Sequence, residues 1–347
     1  VRNLPEFSGE FPVATMADEI ITPGEGQIKM LITSAGNPVL STPNGKKLEK
    51  GLENLDFMVS IDFYLNETTK HANIILPPTS GLEHDHYDLI FNIFAVRNVT
   101  KYAEPVFNHE EGMLHDWEIF SDLAKRLDLL RVGKALPDKL IESKIKPTDF
   151  IDRSLQSGPY GKSHGLSLKK LLENPHGIDL GPMIPMLPER LRTKDKRINL
   201  APDVLVKDMD RVKKVFTELE ARSLSGKFLL IGRRHLRNNN SWMHNMPKLM
   251  TGAIRCTAMI NSLDAEKLGI ENESIVKIKS RVGEISVPAE VTEDIMQGVV
   301  SLPHGFGHTR SGTKLGVSIN DITDDLAVDE LSGNAAFSGT IVEILKI

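Results

Sequence analysis

The chain has 347 residues, of which 40% are hydrophobic and 26% charged, with a formal net charge of -5. Such a balance describes a globular protein of two or three domains and excludes a disordered chain and a basic nucleic-acid surface. Aromatic residues are only 5%, which also argues against a stacking platform for single strands. The one cysteine, Cys256, rules out an internal disulfide and a cysteine-based zinc or iron–sulfur site. The composition fits a reducing compartment, and a cytoplasmic location is expected. No apolar run approaches the roughly 18 residues of a membrane span. The first ten residues, VRNLPEFSGE, carry no signal-peptide pattern and no initiator methionine, so Val1 is expected to lie inside a longer natural chain.

Residues 28–36, IKMLITSAG, predict a buried strand. In 44–55, Leu48, Leu52 and Leu55 recur at helical spacing and predict an amphipathic helix. A second strand follows at 56–62, a short helical turn at 66–72, and a third strand at 73–79 that Pro77-Pro78 stops. Strand, helix, strand, turn and strand at this spacing imply βαβ units and a parallel sheet. Three strands are few for such a sheet, so it needs partners from elsewhere. Residues 115–132 predict a helix with Trp117, Phe120, Ala124 and Leu127 on one face, Asp116 as its cap and Gly133 as its stop.

Eight of the nineteen prolines lie between 137 and 202, which predicts a connector with short helices. A helix over 208–221 places Val212, Val215, Phe216 and Leu219 on one stripe. The last 120 residues or so change to strand-like runs at 227–232, 274–280, 284–291, 298–303 and 339–347. Arg281-Val282-Gly283 links two of them tightly. A short helix between them takes Ser262 as its N-cap and Gly269 as its stop. Many short strands with few helices indicate a β-barrel. The expected organisation is an α/β region over 1–133, a helical, proline-rich connector over 134–224 and a barrel over 225–347.

Ligands of open parallel sheets bind beyond the carboxyl ends of strands. Gly36, Asn37 and Pro38 stand at one such end, Asp62 at the next, and Thr79, Ser80 and Glu83 at the third. Gly36 lets a ligand approach the backbone, and Asn37 offers both donors and acceptors. Gly-Asn-Pro is also a good turn by itself. The stretch IGRRHLRNNNSWMHN (231–245) is dense in arginine, whose fork matches phosphate, and asparagine, whose amide matches heterocycle edges. Its bland alternative is a solvated loop. In LPHGFGHTRSG (302–312), His304 and His308 are four apart, but two glycines and a proline argue against a metal-binding helix and for a backbone loop near a ligand. His84 and His86 lie among acidic residues in what reads as a hydrated loop. Cys256 sits in an apolar context and reads as a small buried hydrophobe. There is no G-x-x-x-x-G-K-[ST] and no G-x-G-x-x-G, so neither a P-loop nor an ordinary dinucleotide fold is supported.

The block SAGNPVLSTPNGKKLEKGLENLDFMVSIDFYLNETTKHANIILPPTSGLE resembles the G-x-N-P, L-D-F-x-V-x-x-D and E-T-x-x-x-A-D-x-x-L-P run of molybdopterin oxidoreductases, with Asn73 standing where that pattern has aspartate. A second block, from LLIGRRHLRNNNSWMHN to VSLPHGFGH, resembles the molybdopterin-dinucleotide-binding domain that closes those enzymes, and DELSGNAAFSGTIVEI is similar to their last strand. The family includes formate dehydrogenases, nitrate reductases and dimethyl sulfoxide reductases. The resemblance implies a bis(molybdopterin guanine dinucleotide) cofactor, bis-MGD, holding Mo or W, and a double-psi β-barrel for 225–347. It implies that Gly36, Asn37 and Pro38, with Asp62 and Thr68, cradle one dinucleotide. It further implies that Gly232, Arg233, Arg234, His235, Asn238 and Asn239, with His304, Gly305 and Asn320, hold pterin or phosphate groups. Enzymes of this family are about twice this long. Their N-terminal half usually carries the Cys motif of a 4Fe-4S cluster and supplies the residue that ligates the metal, and this chain has neither. The chain is therefore expected to be the C-terminal portion of such an enzyme, partnered by its N-terminal half and inactive alone. Two other readings stand beside it: a stand-alone binding or assembly module with the same fold, and a metal-dependent hydrolase using His84, His86 and nearby carboxylates.

Overall fold

The computed structural model describes residues 1–132, 146–223, 226–253, 255–308 and 316–347. Two compact units emerge, one of 1–76 with 203–347 and one of 77–202. The parallel strands and the barrel thus share one unit.

That unit begins with helix α1 (Met16–Ile21), whose first turn carries Asp18 and Glu19 where the helix dipole favours negative charge. Strands β1 (Met30–Ser34), β2 (Phe57–Ile61) and β3 (Ile74–Ile75) form a parallel sheet in the order β1-β2-β3. Met30 pairs with Phe57 and Ser34 with Ile61. The third strand is shorter than expected because its ladder ends where Leu76 donates to the Ser60 carbonyl at 2.8 Å, just before the two prolines. Asn73, the departure from the family pattern, accepts the Met58 N–H at 2.7 Å and closes the gap between β2 and β3.

Between β1 and β2 the chain forms two helices, α2 (Pro38–Ser41) and α3 (Gly45–Leu52). Pro38 occupies the first turn of α2, where its missing N–H costs nothing. Asn44 turns the chain in a left-handed conformation (φ 53°) and caps α3 by accepting the Lys47 N–H at 3.3 Å. Gly45 is required there, because a Cβ would fall 2.1 Å from the Val39 carbonyl oxygen. Leu48 and Leu52 then pack against Ala17, Ile20, Val39 and Met58. Burying one such leucine contributes about 1.5–3 kcal/mol.

The second unit holds two small antiparallel sheets. Strand β4 (His86–Tyr87) pairs with β6 (Tyr102–Ala103), and β5 (Arg97–Thr100) pairs with β7 (Ile178–Pro182) across an irregularity between Arg97 and Val99. Helix α4 spans Asp116–Val132 and shorter helices span Pro147–Ser157, Gly161–His164 and Leu168–Leu172. Tyr102, Leu155, Leu166 and Leu171 form the core. The inward side of α4 differs from the expected stripe. Ile119 is buried while Phe120 and Leu127 are exposed. Apolar residues surround this helix on more than one side, so periodicity alone does not choose the face. Its cap also moves by one residue: Asp116 is the first helical residue, and the His115 N–H donates to the Glu118 carboxylate at 3.0 Å. Gly133 lies outside the described residues.

The first unit resumes with helices Asp203–Lys207 and Met209–Ser223, on which Val215 and Phe216 are exposed rather than packed. Six strands follow: β8 (Phe228–Arg233), β9 (Ala258–Asn261), β10 (Ile275–Lys279), β11 (Glu284–Thr292), β12 (Val299–Pro303) and β13 (Thr340–Lys346). They close into a barrel in the order β10-β11-β9-β12-β8-β13. The pairs β11/β9 and β12/β8 are parallel and the others antiparallel. The period-two pattern of β11 sends Ile285, Val287 and Ala289 inward to meet Leu230, Ile260, Val276, Ile278, Leu302 and Val342. An α/β region followed by a barrel is the fold class expected. The helix Ser262–Leu268 is capped by Asn261, which accepts the Leu263 N–H at 3.0 Å, and not by Ser262. Gly269 stops it in a left-handed conformation.

A polar seam joins α2 and α3 to the barrel within this unit. Lys47 contacts Asp18 at 2.6 Å and Asp325 at 2.7 Å, and Asn44 donates to Asp325 at 2.9 Å. Burial alone would lower the Lys47 ammonium, yet the two carboxylates outweigh it and hold its pKa above the ordinary value. Burial would likewise raise the Asp325 carboxyl, but Lys47 and Asn44 hold it below the usual range.

Candidate functional site

The carboxyl ends of β1 and β2 bring residues 35–39 beside residues 62–68. Ala35 is left-handed (φ 51°) and donates to the Ile61 carbonyl at 3.0 Å, which turns Gly36 and Asn37 across the sheet edge. The Asn37 side chain is held from both ends. Its Nδ2 donates to Glu67 at 2.9 Å and its Oδ1 accepts the Thr68 hydroxyl at 2.7 Å. The Thr68 oxygen in turn accepts the Val39 N–H at 3.1 Å. Asp62 accepts from the Tyr64 N–H at 2.9 Å and from Asn66 at 3.3 Å. Asn37, Thr68 and Asp62 therefore shape this rim through internal bonds, leaving Gly36 as the close-approach point.

On the barrel side, β8 delivers Arg233 inward. Its guanidinium donates to the Ser301 carbonyl at 2.6 Å, the Thr257 carbonyl at 3.0 Å and the Thr257 hydroxyl at 2.9 Å. Burial pushes its pKa down, against the opposing pull of Glu290 at 3.6 Å. Arg233 thus ties three strands together. Asn238 is buried, donates to the His304 carbonyl and accepts the Ser241 N–H at 2.7 Å. Gly305 (φ +87°) is where a Cβ would stand 2.6 Å from the Asn238 Oδ1, so the glycine is demanded by Asn238. Asn239, Asn240 and Ser241 are all left-handed, at φ 44°, 57° and 91°. Asparagine tolerates that region better than most residues, which explains the Asn run. Asn320 donates to the Leu40 carbonyl at 2.7 Å and accepts from Thr323 at 2.8 Å.

Gly232, Arg234 and Asn239 remain exposed, with His235 and His304 half-buried beside them. Burial lowers the His235 pKa first, followed by the charges of Arg255, Arg233 and Arg237. Burial and Arg234 lower that of His304. The charges of Arg237 and Arg255 thus act on His235, and that of Arg234 on His304.

Three side chains outside the sequence-based set stand out. Glu67, which holds Asn37, also meets the His308 Nδ1 at 3.3 Å. His308 is 7% exposed and, among the described residues, its Nε2 has no partner. His244 is 9% exposed, packs on Phe306 at 4.6 Å and meets His308 edge-on at 5.4 Å, and neither of its nitrogens has a partner among the described residues. Burial first, then the charges of His308, Arg255 and His235, push its pKa down to about 4. Each polar atom buried without a partner costs about 1–3 kcal/mol. The available signal was a histidine within the Asn-rich loop, another in the glycine-rich loop and, for Glu67, the first position of the E-T-x-x-x-A-D run.

The other candidates are accounted for locally. In the second unit the Thr79 hydroxyl is shared by His84 and His115, and Glu83 accepts the Ser80 N–H at 2.7 Å. Among the described residues no group of three or more His, Cys, Asp or Glu side chains is arranged to hold a metal ion, which leaves the hydrolase reading without a site. Cys256 is buried, its thiol pKa raised by burial, and it donates weakly to the Val317 carbonyl at 3.6 Å. Among the described residues no helix is long and apolar enough to cross a membrane.

Comparison with known proteins gives this geometry a context. The family model described as molybdopterin oxidoreductase matches residues 8–126, and that described as molydopterin dinucleotide binding domain matches 228–341. The chain is 31% identical over 294 residues to the F420-dependent formate dehydrogenase subunit alpha of Methanocaldococcus jannaschii, covering 83% of this chain and 40% of that one. It is 35% identical over 103 residues to the assimilatory nitrate reductase catalytic subunit of Bacillus subtilis, covering 30% of this chain and 14% of that one. Acetylene hydratase from Pelobacter acetylenicus shares the fold, with a TM-score of 0.69 and 16% identity over 96% of this chain and 46% of the other. The chain spans 40% to 45% of the formate dehydrogenase alpha subunits it matches. With a parallel sheet, a closed barrel and both family models matching, this chain belongs to the molybdopterin oxidoreductase family and carries its dinucleotide-binding domain.

Proposed function

We propose that this chain holds the pterin dinucleotide cofactor, bis-MGD with Mo or W, as part of a larger oxidoreductase. The observation that carries the reading is the set of buried nitrogens on His244 and His308 that lack a partner among the described residues, with the charge of Arg255 acting on both His244 and His235. A group with both a heterocycle and phosphates would satisfy the two features together. Arg234, Arg237 and Arg255 would meet the phosphates bidentately. Gly36, Gly232 and Asn239 would let the ligand approach the backbone, with His235 and His304 at its side. Asn37, Pro38, Asp62, Thr68, Arg233, Asn238, Gly305 and Asn320 would set the walls rather than touch every part of the ligand. When bound, the cofactor supplies the redox centre, and the residues named here bind and orient it.

The remaining portion of the enzyme would complete the site, supply the residue that ligates the metal and hold any 4Fe-4S cluster. This chain alone would then be inactive, and a cytoplasmic setting suits such chemistry. The test uses this chain joined to or co-expressed with that complementary portion in cells that make the cofactor. Molybdenum, tungsten and pterin content are measured, then formate oxidation. Arg234→Ala and His244→Phe should each lower pterin content. Wild-type protein free of pterin, or variants with undiminished pterin, would sink the proposal.

A further inference from the structure

The second unit carries apolar surface that its own core does not use. Leu89, Ile90, Phe91, Ile93, Phe94 and Val96 fall within one short run, 89–96. All six are exposed, from 64% at Ile90 to 96% at Val96. None of them joins a hydrophobic core among the described residues. Soluble proteins rarely leave so dense an apolar run in water, and where they do it marks a contact surface.

This run is held in a fixed shape. The Asp88 carboxylate accepts the N–H groups of Ile90 and Phe91 at 2.9 and 2.7 Å, and Asn92 donates back to the Asp88 carbonyl at 3.2 Å. A 3-10 turn over Phe91–Phe94 follows, and its two phenyl rings stack 6.4 Å apart. The chain then enters β5, whose Arg97 pairs with Pro182 at the end of β7. Asn98 ties the same end by donating to the Pro182 carbonyl at 2.9 Å. Beyond Pro182 come Met183, Ile184, Met186 and Leu187, all exposed as well. Two apolar runs therefore leave one end of a single ladder.

Charge says what kind of partner this face takes. No residue between Asp88 and Arg97, or from Met183 to Leu187, is charged. Asp88 is engaged by its own turn, and Arg97 is paired with Asp179 at 2.8 Å. A membrane-surface segment carries spare Lys or Arg with Trp or Tyr, and 88–97 offers only the paired Arg97. An uncharged, preshaped face suits a permanent interface, which resembles a domain core cut in half. Chain length supplies a permanent partner. The chain spans 40% to 45% of the formate dehydrogenase alpha subunits it matches and 46% of the acetylene hydratase chain. More than half of such an enzyme lies outside the matched residues, and it accompanies every copy of this face.

We infer that residues 89–96 and 183–187 form a docking surface on which the second unit receives an apolar segment of the complementary portion of the same oxidoreductase. The inference rests on the reading of the chain as part of a larger enzyme and says where the second unit is gripped.

The test co-expresses this chain, as a separate polypeptide, with that complementary portion. The photo-crosslinker benzoylphenylalanine replaces Phe91, Phe94 or, as a control, the exposed Lys169 on the helix Leu168–Leu172. On irradiation, the labels at Phe91 and Phe94 should join the complementary portion, whereas the label at Lys169 should not. Phe91→Asp combined with Phe94→Asp should lower recovery of the complementary portion about tenfold, because docking would bury unpaired carboxylates. Both side chains are exposed, so the aspartates leave the core of the unit intact. Phe91→Leu combined with Phe94→Leu should keep recovery. Adducts between two copies of this chain, adducts with lipid or another protein, no adducts, or recovery undiminished by the aspartates would each overturn the inference. Adducts formed in a complex devoid of pterin would leave the docking surface standing and sink the proposed function. A pterin-loaded complex without adducts would sink the docking surface alone.

Discussion

Replacing Arg233 with alanine removes three hydrogen bonds from a charged donor, to Ser301 and to the carbonyl and hydroxyl of Thr257. Bonds of this type contribute about 1.5–3 kcal/mol each, but the desolvation that lowers the Arg233 pKa offsets part of that gain. Glu290, at 3.6 Å and half-exposed, adds little. The Ser301 and Thr257 carbonyls are left without this donor. The net loss comes to about 3 kcal/mol, confined to the meeting point of β8, β9 and β12. Native-state hydrogen exchange reads such a local loss directly. Amides of β8 and β12 should exchange about 150-fold faster in Arg233→Ala, while those of β1 and β2 are unchanged. Arg233→Lys, with a single point of donation, should fall between. Unchanged barrel protection together with lost pterin content would refute this reasoning and return Arg233 to the role of a phosphate ligand.

Asp325→Asn should cost about 2 kcal/mol at pH 7 through the loss of its bonds to Lys47 and Arg281. Because the folded Asp325 pKa lies below the ordinary 3.8, the wild-type advantage is full above that value and fades as pH falls through the lower one, which urea melts from pH 7 to 3 will show. His244 should titrate near pH 4 rather than 6.5 by NMR. Its reluctance to protonate when folded erodes stability as pH falls from 6.5 toward 4, and His244→Phe should flatten that loss. Asn261→Ala should cost about 1 kcal/mol in thermal or urea unfolding, and Ser262→Ala clearly less, because only Asn261 caps the helix.

Local pattern carried much of the fold. The apolar run that became β1, the Leu48 and Leu52 repeat of α3 and the alternation in β11 each report burial within one element, where the spacing is decisive. Strand β9 escaped notice because its four residues follow Cys256 without a turn signal. The inward face of α4 escaped because apolar residues occupy more than one side. The site was legible in its residue types but not in their duties. Asn37 reads as a free amide until Glu67, thirty residues on, is seen to hold it, and Arg233 reads as a phosphate fork until the Ser301 carbonyl is seen to accept its hydrogen bond. Such bonds join positions far apart in the chain, and no short window contains them.

The seam between α2, α3 and the barrel has a consequence for how the molecule is made. Arg2 and Asn44 reach Asp325, and Leu40 receives Asn320, across separations of 323, 281 and 280 residues. A ribosome releases residues 1–50 long before it has built those partners. Leu48 and Leu52 can find Ile20 and Met58 early, so a rough hydrophobic cluster forms while the polar side of α3 stays open to water. Closing it requires the segment near residue 320 and the entropy of a loop of 280 residues or more. The segment around α3 is therefore among the last to reach its final state, and a ribosome stalled before residue 320 would display it unfinished.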